Sequence, residues 1–140
     1  MTSTQQHYLK WVTYLGFYLT LLVGGLQMYR VPAGFLTNYG GDIAGPLFLY
    51  GAMRRGKTVF HHFTKRIPGP AASAILLFAA CAAWEICQIF NWAGTPLVIT
   101  RGRFDPYDLL AYAGTLAACY LGDQHFAKQN SLPLQMNDSP

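Results

Sequence analysis

Charge is what this chain has least of. Asp, Glu, Lys and Arg make up 11% of its 140 residues, where an average soluble domain carries about 25%. A water-soluble domain this small has a high surface-to-volume ratio, and with so little charge it would expose large apolar patches. Lipid as the solvent removes that difficulty. Cysteine is also sparse: Cys81, Cys87 and Cys119 all lie in apolar stretches. They make neither a disulfide framework nor a zinc site and read as small packing residues. No Gly-rich phosphate loop, Ser-His-Asp arrangement or Cys-His pair occurs, so no catalytic motif, cofactor or metal is expected. The four histidines avoid the apolar runs. His7 precedes the first, His61 and His62 fall in a basic stretch, and His125 follows the last. None is therefore placed inside a span as an axial ligand. The net charge of +4 and the pI near 9.1 come without a zinc finger or a soluble basic domain, so nucleic acid is not an expected partner.

What is present is apolar sequence in spans. Trp11 to Tyr29 is a charge-free run of 19 residues, close to the roughly 20 that a helix needs to cross about 30 Å of hydrocarbon. Lys10 before it suggests a signal peptide, but the run is too long and lacks a small-x-small cleavage site, which predicts a retained helix. A second span is expected over about residues 34–53, interrupted by Asn38, Gly40, Gly41, Asp42, Gly45 and Pro46, with a kink near Gly45 and Pro46. Arg54, Arg55, Lys57, Lys65 and Arg66 follow in a basic loop, 54–70, closed by Pro68-Gly69-Pro70. A third span, about 71–92, is rich in alanine, with Ala72, Ala79, Ala80 and Ala83 allowing close helix approach. The fourth, about 105–122, begins with Asp105 as N-cap and Pro106 at the first helical position. Its Gly114, Ala118 and Gly122 form a small-residue packing row. Residues 124–140 read as a polar tail. Tyr8, Trp11, Tyr14, Tyr29, Trp84, Trp92 and Tyr107 read as interfacial and packing aromatics.

The expected fold is thus all-α: one polytopic membrane helical bundle over residues 1–140, with about four transmembrane helices. The basic loop outweighs Arg30 and the pair Arg101 and Arg103 in the other connections. By the positive-inside bias it is cytoplasmic, and with it both termini, an N-in/C-in arrangement. The expected location is a bacterial cytoplasmic (inner) membrane. The expected partners are the lipid bilayer and other membrane protein subunits, and the basic stretch 54–66 suits an anionic lipid.

This topology gathers Asn38, Asp42, Glu85, Gln88, Arg101, Arg103, Asp105 and Asp108 toward the extracytoplasmic side. Acids within spans are costly, so they face a bundle interior or a cavity and pair with cations. One reading is a polar pocket, with arginine forks for a phosphate or carboxylate and acids as base or orienter. The plainer reading is that Arg101 or Arg103 bridges Glu85 and Asp108 to pin the loop, while Asp105 caps its helix.

Trp84-Glu85-Ile86-Cys87-Gln88, followed by Arg101-Gly102-Arg103-Phe104-Asp105-Pro106-Tyr107-Asp108 and then Gly114, resembles the VanZ-like membrane proteins. Asp108-Leu109-Leu110-Ala111-Tyr112 is similar to the last span of small members of unknown function. The resemblance implies a four-to-five-helix membrane protein of a family whose founding member is associated with resistance to the glycopeptide teicoplanin, by a mechanism not established. It marks Glu85, Gln88, Arg103, Phe104, Asp105, Asp108 and Gly114 as matching positions, without assigning them roles. The expectation is a small non-catalytic membrane protein, an envelope factor or an accessory subunit stabilising a larger membrane complex. The alternative is an outer-leaflet enzyme or binder for a lipid-linked phosphate or sugar, using the Asp/Glu/Arg pocket.

Overall fold

The computed structural model describes residues 1–31, 34–56, 68–89 and 105–128. These residues form four helices and no strand: α1 (Ser3–Met28), α2 (Phe35–Arg55), α3 (Pro70–Ile89) and α4 (Pro106–Lys128).

Local chemistry sets the helix ends. Thr2 caps α1 in a reciprocal box: its hydroxyl accepts from the Gln5 amide at 3.2 Å, and the Gln5 side chain accepts from the Thr2 amide at 3.3 Å. α1 stops at Arg30, which takes φ +53°. The Arg30 and Val31 amides donate to the carbonyls of Gln27 and Leu26 at 3.1 and 2.9 Å, a left-handed cap filled by a side chain rather than by glycine. α3 opens on Pro70, whose missing amide costs nothing at a first turn. α4 opens on Asp105, whose Oδ1 accepts from the Tyr107 amide at 2.9 Å, as its sequence suggests.

Helices α2 and α4 form the middle of the bundle. Each touches the other and both flanking helices, whereas among the described residues α1 and α3 do not meet. Leu9 and Val12 of α1, Tyr50 of α2, and Leu116 and Cys119 of α4 make the buried apolar core. The closest helix approach is between α1 and α2, where Gly16 lies against the Phe48 backbone and Gly51 against the Thr13 backbone. The sequence places its small-residue faces elsewhere, and within this chain those faces are largely uncovered. Ala72, Ala79, Ala80, Ala83, Gly114 and Ala118 are exposed, and only Gly122 of the expected row is tightly packed, against Tyr8. Close approach needs small residues on facing sides of a crossing, which a row on a single helix does not reveal.

Helices α1 and α3 are long and apolar enough to cross a bilayer. α3 is arranged inside out. Its only buried residues, Ser73 and Glu85, are polar, while Ile75, Leu76, Phe78, Trp84, Ile86 and Ile89 are exposed. Water would favour the opposite order. α4 continues to Lys128, past the Gly122 at which the fourth span was expected to end, so residues 124–128 of the expected tail are helical. α2 runs unbroken through Pro46. Most of the basic loop, residues 57–67, and the end of the third span, 90–92, lie outside the described residues.

Candidate functional site

Asp42 is the eighth residue of α2, Glu85 and Gln88 sit near the end of α3, and Asp108 and Tyr112 occupy one face of α4's first turns, four residues apart. α2 and α4 run in the same direction from this end of the bundle, which brings the five side chains to one level. The Tyr112 hydroxyl lies 2.9 Å from Asp42 Oδ1 and 2.8 Å from Glu85 Oε1. Gln88 Nε2 donates to the same Glu85 Oε1 at 3.2 Å, and the Asp108 carboxyl lies within electrostatic reach of Asp42 and Glu85. Glu85 is 2% exposed and Tyr112 7%. Among the described residues, the other Glu85 oxygen, Oε2, is buried with no hydrogen-bond partner. Pro46, four residues after Asp42, has no amide to donate to the Asp42 carbonyl, so a further acceptor is freed beside the cluster.

Counting hydrogens shows what the cluster can do. A tyrosine carries one O–H hydrogen and an ionised carboxylate carries none. The two oxygen-to-oxygen contacts of Tyr112, with Asp42 and with Glu85, share its single hydrogen, and Asp108 adds a third carboxyl close by. The cluster is rich in acceptors and short of donors. It suits a partner that brings N–H or O–H groups, because an unfilled buried acceptor costs about 1–3 kcal/mol.

The expected site is therefore partly assembled and partly corrected. Asp42, Glu85, Gln88 and Asp108 come together. Asn38, one turn before Asp42, is exposed on α2, and among the described residues its side chain forms no hydrogen bond to the cluster. Asp105 caps α4. Arg101 and Arg103 lie outside the described residues. No group of three or more His, Cys, Asp or Glu is arranged to hold a metal among the described residues. Tyr112, the hub, was quoted in the sequence only as part of a motif; its spacing of four from Asp108 is the signal that marks it.

A second polar network lies at the other end of the bundle and is absent from the expected site. Asp123 of α4 accepts from Arg54 Nε at 2.6 Å, from the Tyr50 hydroxyl at 3.0 Å and from Gln5 Nε2 at 2.6 Å. Arg54 also donates through Nη1 to the Pro68 carbonyl at 2.6 Å, and the Ser73 hydroxyl reaches the same oxygen at 3.3 Å. Arg54, counted from the sequence as a loop cation, is instead a helical residue 5% exposed and neutralised by Asp123. Tyr50 and Arg54, four apart on α2, were the available clue. This network ties all four helices and is satisfied, so it reads as a structural clamp; the acceptor-rich cluster at the opposite end is the candidate site.

No protein-family model matches the chain, and neither the curated proteins nor the solved structures give a match.

Proposed function

We propose that this chain is a small VanZ-like integral membrane protein with four spans and both termini cytoplasmic, which binds a hydroxyl-rich lipid headgroup, such as a lipid-linked sugar, at the outer leaflet. The observation that carries this reading is the convergence of Asp42, Glu85, Asp108 and Tyr112 from three helices, with a buried carboxylate oxygen that has no partner among the described residues. Sugar hydroxyls supply the donors that the cluster lacks. The cluster lies at the end of the bundle away from the basic loop, which the positive-inside bias assigns to the cytoplasm. An apolar groove of about 540 Å³ between α2 and α4 adjoins it, lined by Tyr39, Ile43, Tyr107, Leu110 and Gly114. Ile43 and Tyr107 are chain neighbours of Asp42 and Asp108, so a lipid with its headgroup at the acids has a channel for its chain.

The test is thermal unfolding of the full chain in nanodiscs with and without a monoglucosyl diacylglycerol. The expected outcome is a glycolipid-dependent rise in Tm that Glu85→Gln and Tyr112→Phe remove. Gly114→Leu is the control for folding, since nothing lies within 4 Å of a Cβ added there. It should fill the groove and abolish the rise while leaving the Tm without glycolipid unchanged or higher. An unchanged Tm in the presence of the glycolipid, or a full rise in Gly114→Leu, refutes the headgroup reading.

A second reading, a non-catalytic accessory or envelope subunit, is favoured by the uncovered α3 face, where Ala72, Ile75, Leu76, Ala79 and Ala83 are exposed and small residues suit a neighbouring helix. A stoichiometric larger complex after mild-detergent purification, together with failure of the glycolipid test, would establish it.

A further inference from the structure

The end of the bundle at which α1 begins and α2 ends has a feature that neither polar cluster explains. A cleft of about 680 Å³ lies between the start of α1 and the end of α2, lined by Ser3, Gln6, His7, Lys10, Arg54 and Arg55. The Lys10 ammonium and the Arg55 guanidinium each sit 5.8 Å from the centroid of the same Tyr14 ring. The ring attracts each cation, and both residues line the same cleft, where an anion would offset their like charges. Among the described residues the ion pairing is confined to Arg54 and Asp123, so no described carboxylate serves Lys10 or Arg55. His7 adds a neutral donor. Trp11 Nε1 can only donate, and it does so to His7 Nε2 at 3.0 Å, which leaves Nδ1 as the hydrogen-bearing nitrogen of the neutral ring.

We propose that this cleft binds the phosphate of an anionic phospholipid, held by Lys10 and Arg55 with His7 and Ser3 as neutral donors. A guanidinium and an ammonium lining one cleft suit phosphate oxygens in charge, and the guanidinium suits them in shape. A lipid is favoured over a free phosphate by what adjoins the cleft. Lys10, Tyr14 and Tyr18 lie four residues apart on one exposed face of α1, with Trp11 and Leu15 exposed next to them. A charged rim thus leads into interfacial aromatics and then into an apolar stripe, the order of headgroup, glycerol and acyl chain along a bilayer normal. The site rests on the membrane reading but uses no residue of the acid cluster, so the two assignments fail separately.

The test is native mass spectrometry of the full chain in detergent with equal amounts of phosphatidylglycerol and phosphatidylcholine. Wild type should retain the anionic lipid about tenfold over the zwitterionic one, and Lys10→Gln with Arg55→Gln should bring the two to parity. Ser3→Asp is the safeguard against a misfolded double variant. An acid in the first turn of a helix is favourable, so this variant should keep its Tm while the carboxylate in the cleft lowers retention of phosphatidylglycerol. Excess inorganic phosphate should not displace the lipid; displacement would make a free anion the ligand and overturn the lipid assignment. Equal retention of both lipids by wild type, or an undiminished preference in both variants, would overturn the site itself.

Discussion

Arg54 and Asp123 show how much a single buried pair can weigh at the residue scale. Removing one member of such a pair typically costs 3–5 kcal/mol because the other charge is left uncompensated, while replacing both with apolar residues can be neutral. Arg54→Gln and Asp123→Leu should each strongly lower the Tm in detergent, and Arg54→Met combined with Asp123→Leu should recover a large part of the loss. A double variant as unstable as the single ones would show that the Tyr50, Gln5 and Pro68 contacts, not charge neutralisation, hold this end together. Arg30 gives a milder prediction. A non-glycine residue in the left-handed region costs about 1–2 kcal/mol, so Arg30→Gly should raise the Tm, offset in part by the greater freedom of glycine in the unfolded chain. A lower Tm would mean that the Arg30 side chain makes a stabilising contact.

The crossing of α1 and α2 is decided at the scale of the element. Gly16 and Gly51 are buried where a side chain would run into the partner's backbone, and a backbone cannot swing aside as a flexible side chain can. Gly16→Val should destabilise by about 1–3 kcal/mol, the usual cost of overpacking. Gly25→Ala, in the same helix with nothing within 4 Å, should stabilise slightly through helix propensity. Similar Tm values for the two variants would contradict the crossing. The start of α4 was legible at this scale, since Asp105-Pro106 acts within one turn of itself, whereas Pro70, read as the close of the basic loop, opens α3, and α1 begins at Ser3, ahead of the apolar run from Trp11. The end of α4 was not: His125 and Lys128 looked like tail, but Phe126 stacks on Tyr8 with ring centroids 4.9 Å apart, and the Thr2 hydroxyl donates to the Phe126 carbonyl at 3.4 Å. These contacts to α1 and its cap extend the helix beyond its apolar stretch.

For the whole molecule, the polar groups sort by position in the bundle. The two helices apolar enough to cross a bilayer, α1 and α3, lie on the outside, and the more polar α2 and α4 touch each other and both neighbours. In lipid this arrangement places Asp42, Arg54, Asp108 and Asp123 against protein rather than acyl chains. The proposed orientation gives a direct prediction. In a background lacking Cys81, Cys87 and Cys119, a membrane-impermeant maleimide on intact cells should label Asn38→Cys and spare Ser3→Cys until the cells are opened. The reverse pattern would invert the molecule and move the acid cluster to the cytoplasmic face. The acid cluster and the Arg54 clamp are separated by 12 residues along α2, about 18 Å at 1.5 Å per residue, so binding at one and stability at the other can be measured independently.

Composition and local pattern alone determined that the chain is helical, that at least its first and third apolar runs suit a bilayer, and that acids and amides gather at one end. Those properties depend on solvent transfer and on bonds within a turn or two, which the order of residues specifies directly. Tertiary structure decided which polar groups meet. Asp42 finds Tyr112 across 70 positions and Arg54 finds Asp123 across 69, because α2 and α4 pack side by side in the same direction and in register. Nothing within either helix encodes that register; it follows from the requirement that charge in a low-dielectric interior be met by a partner.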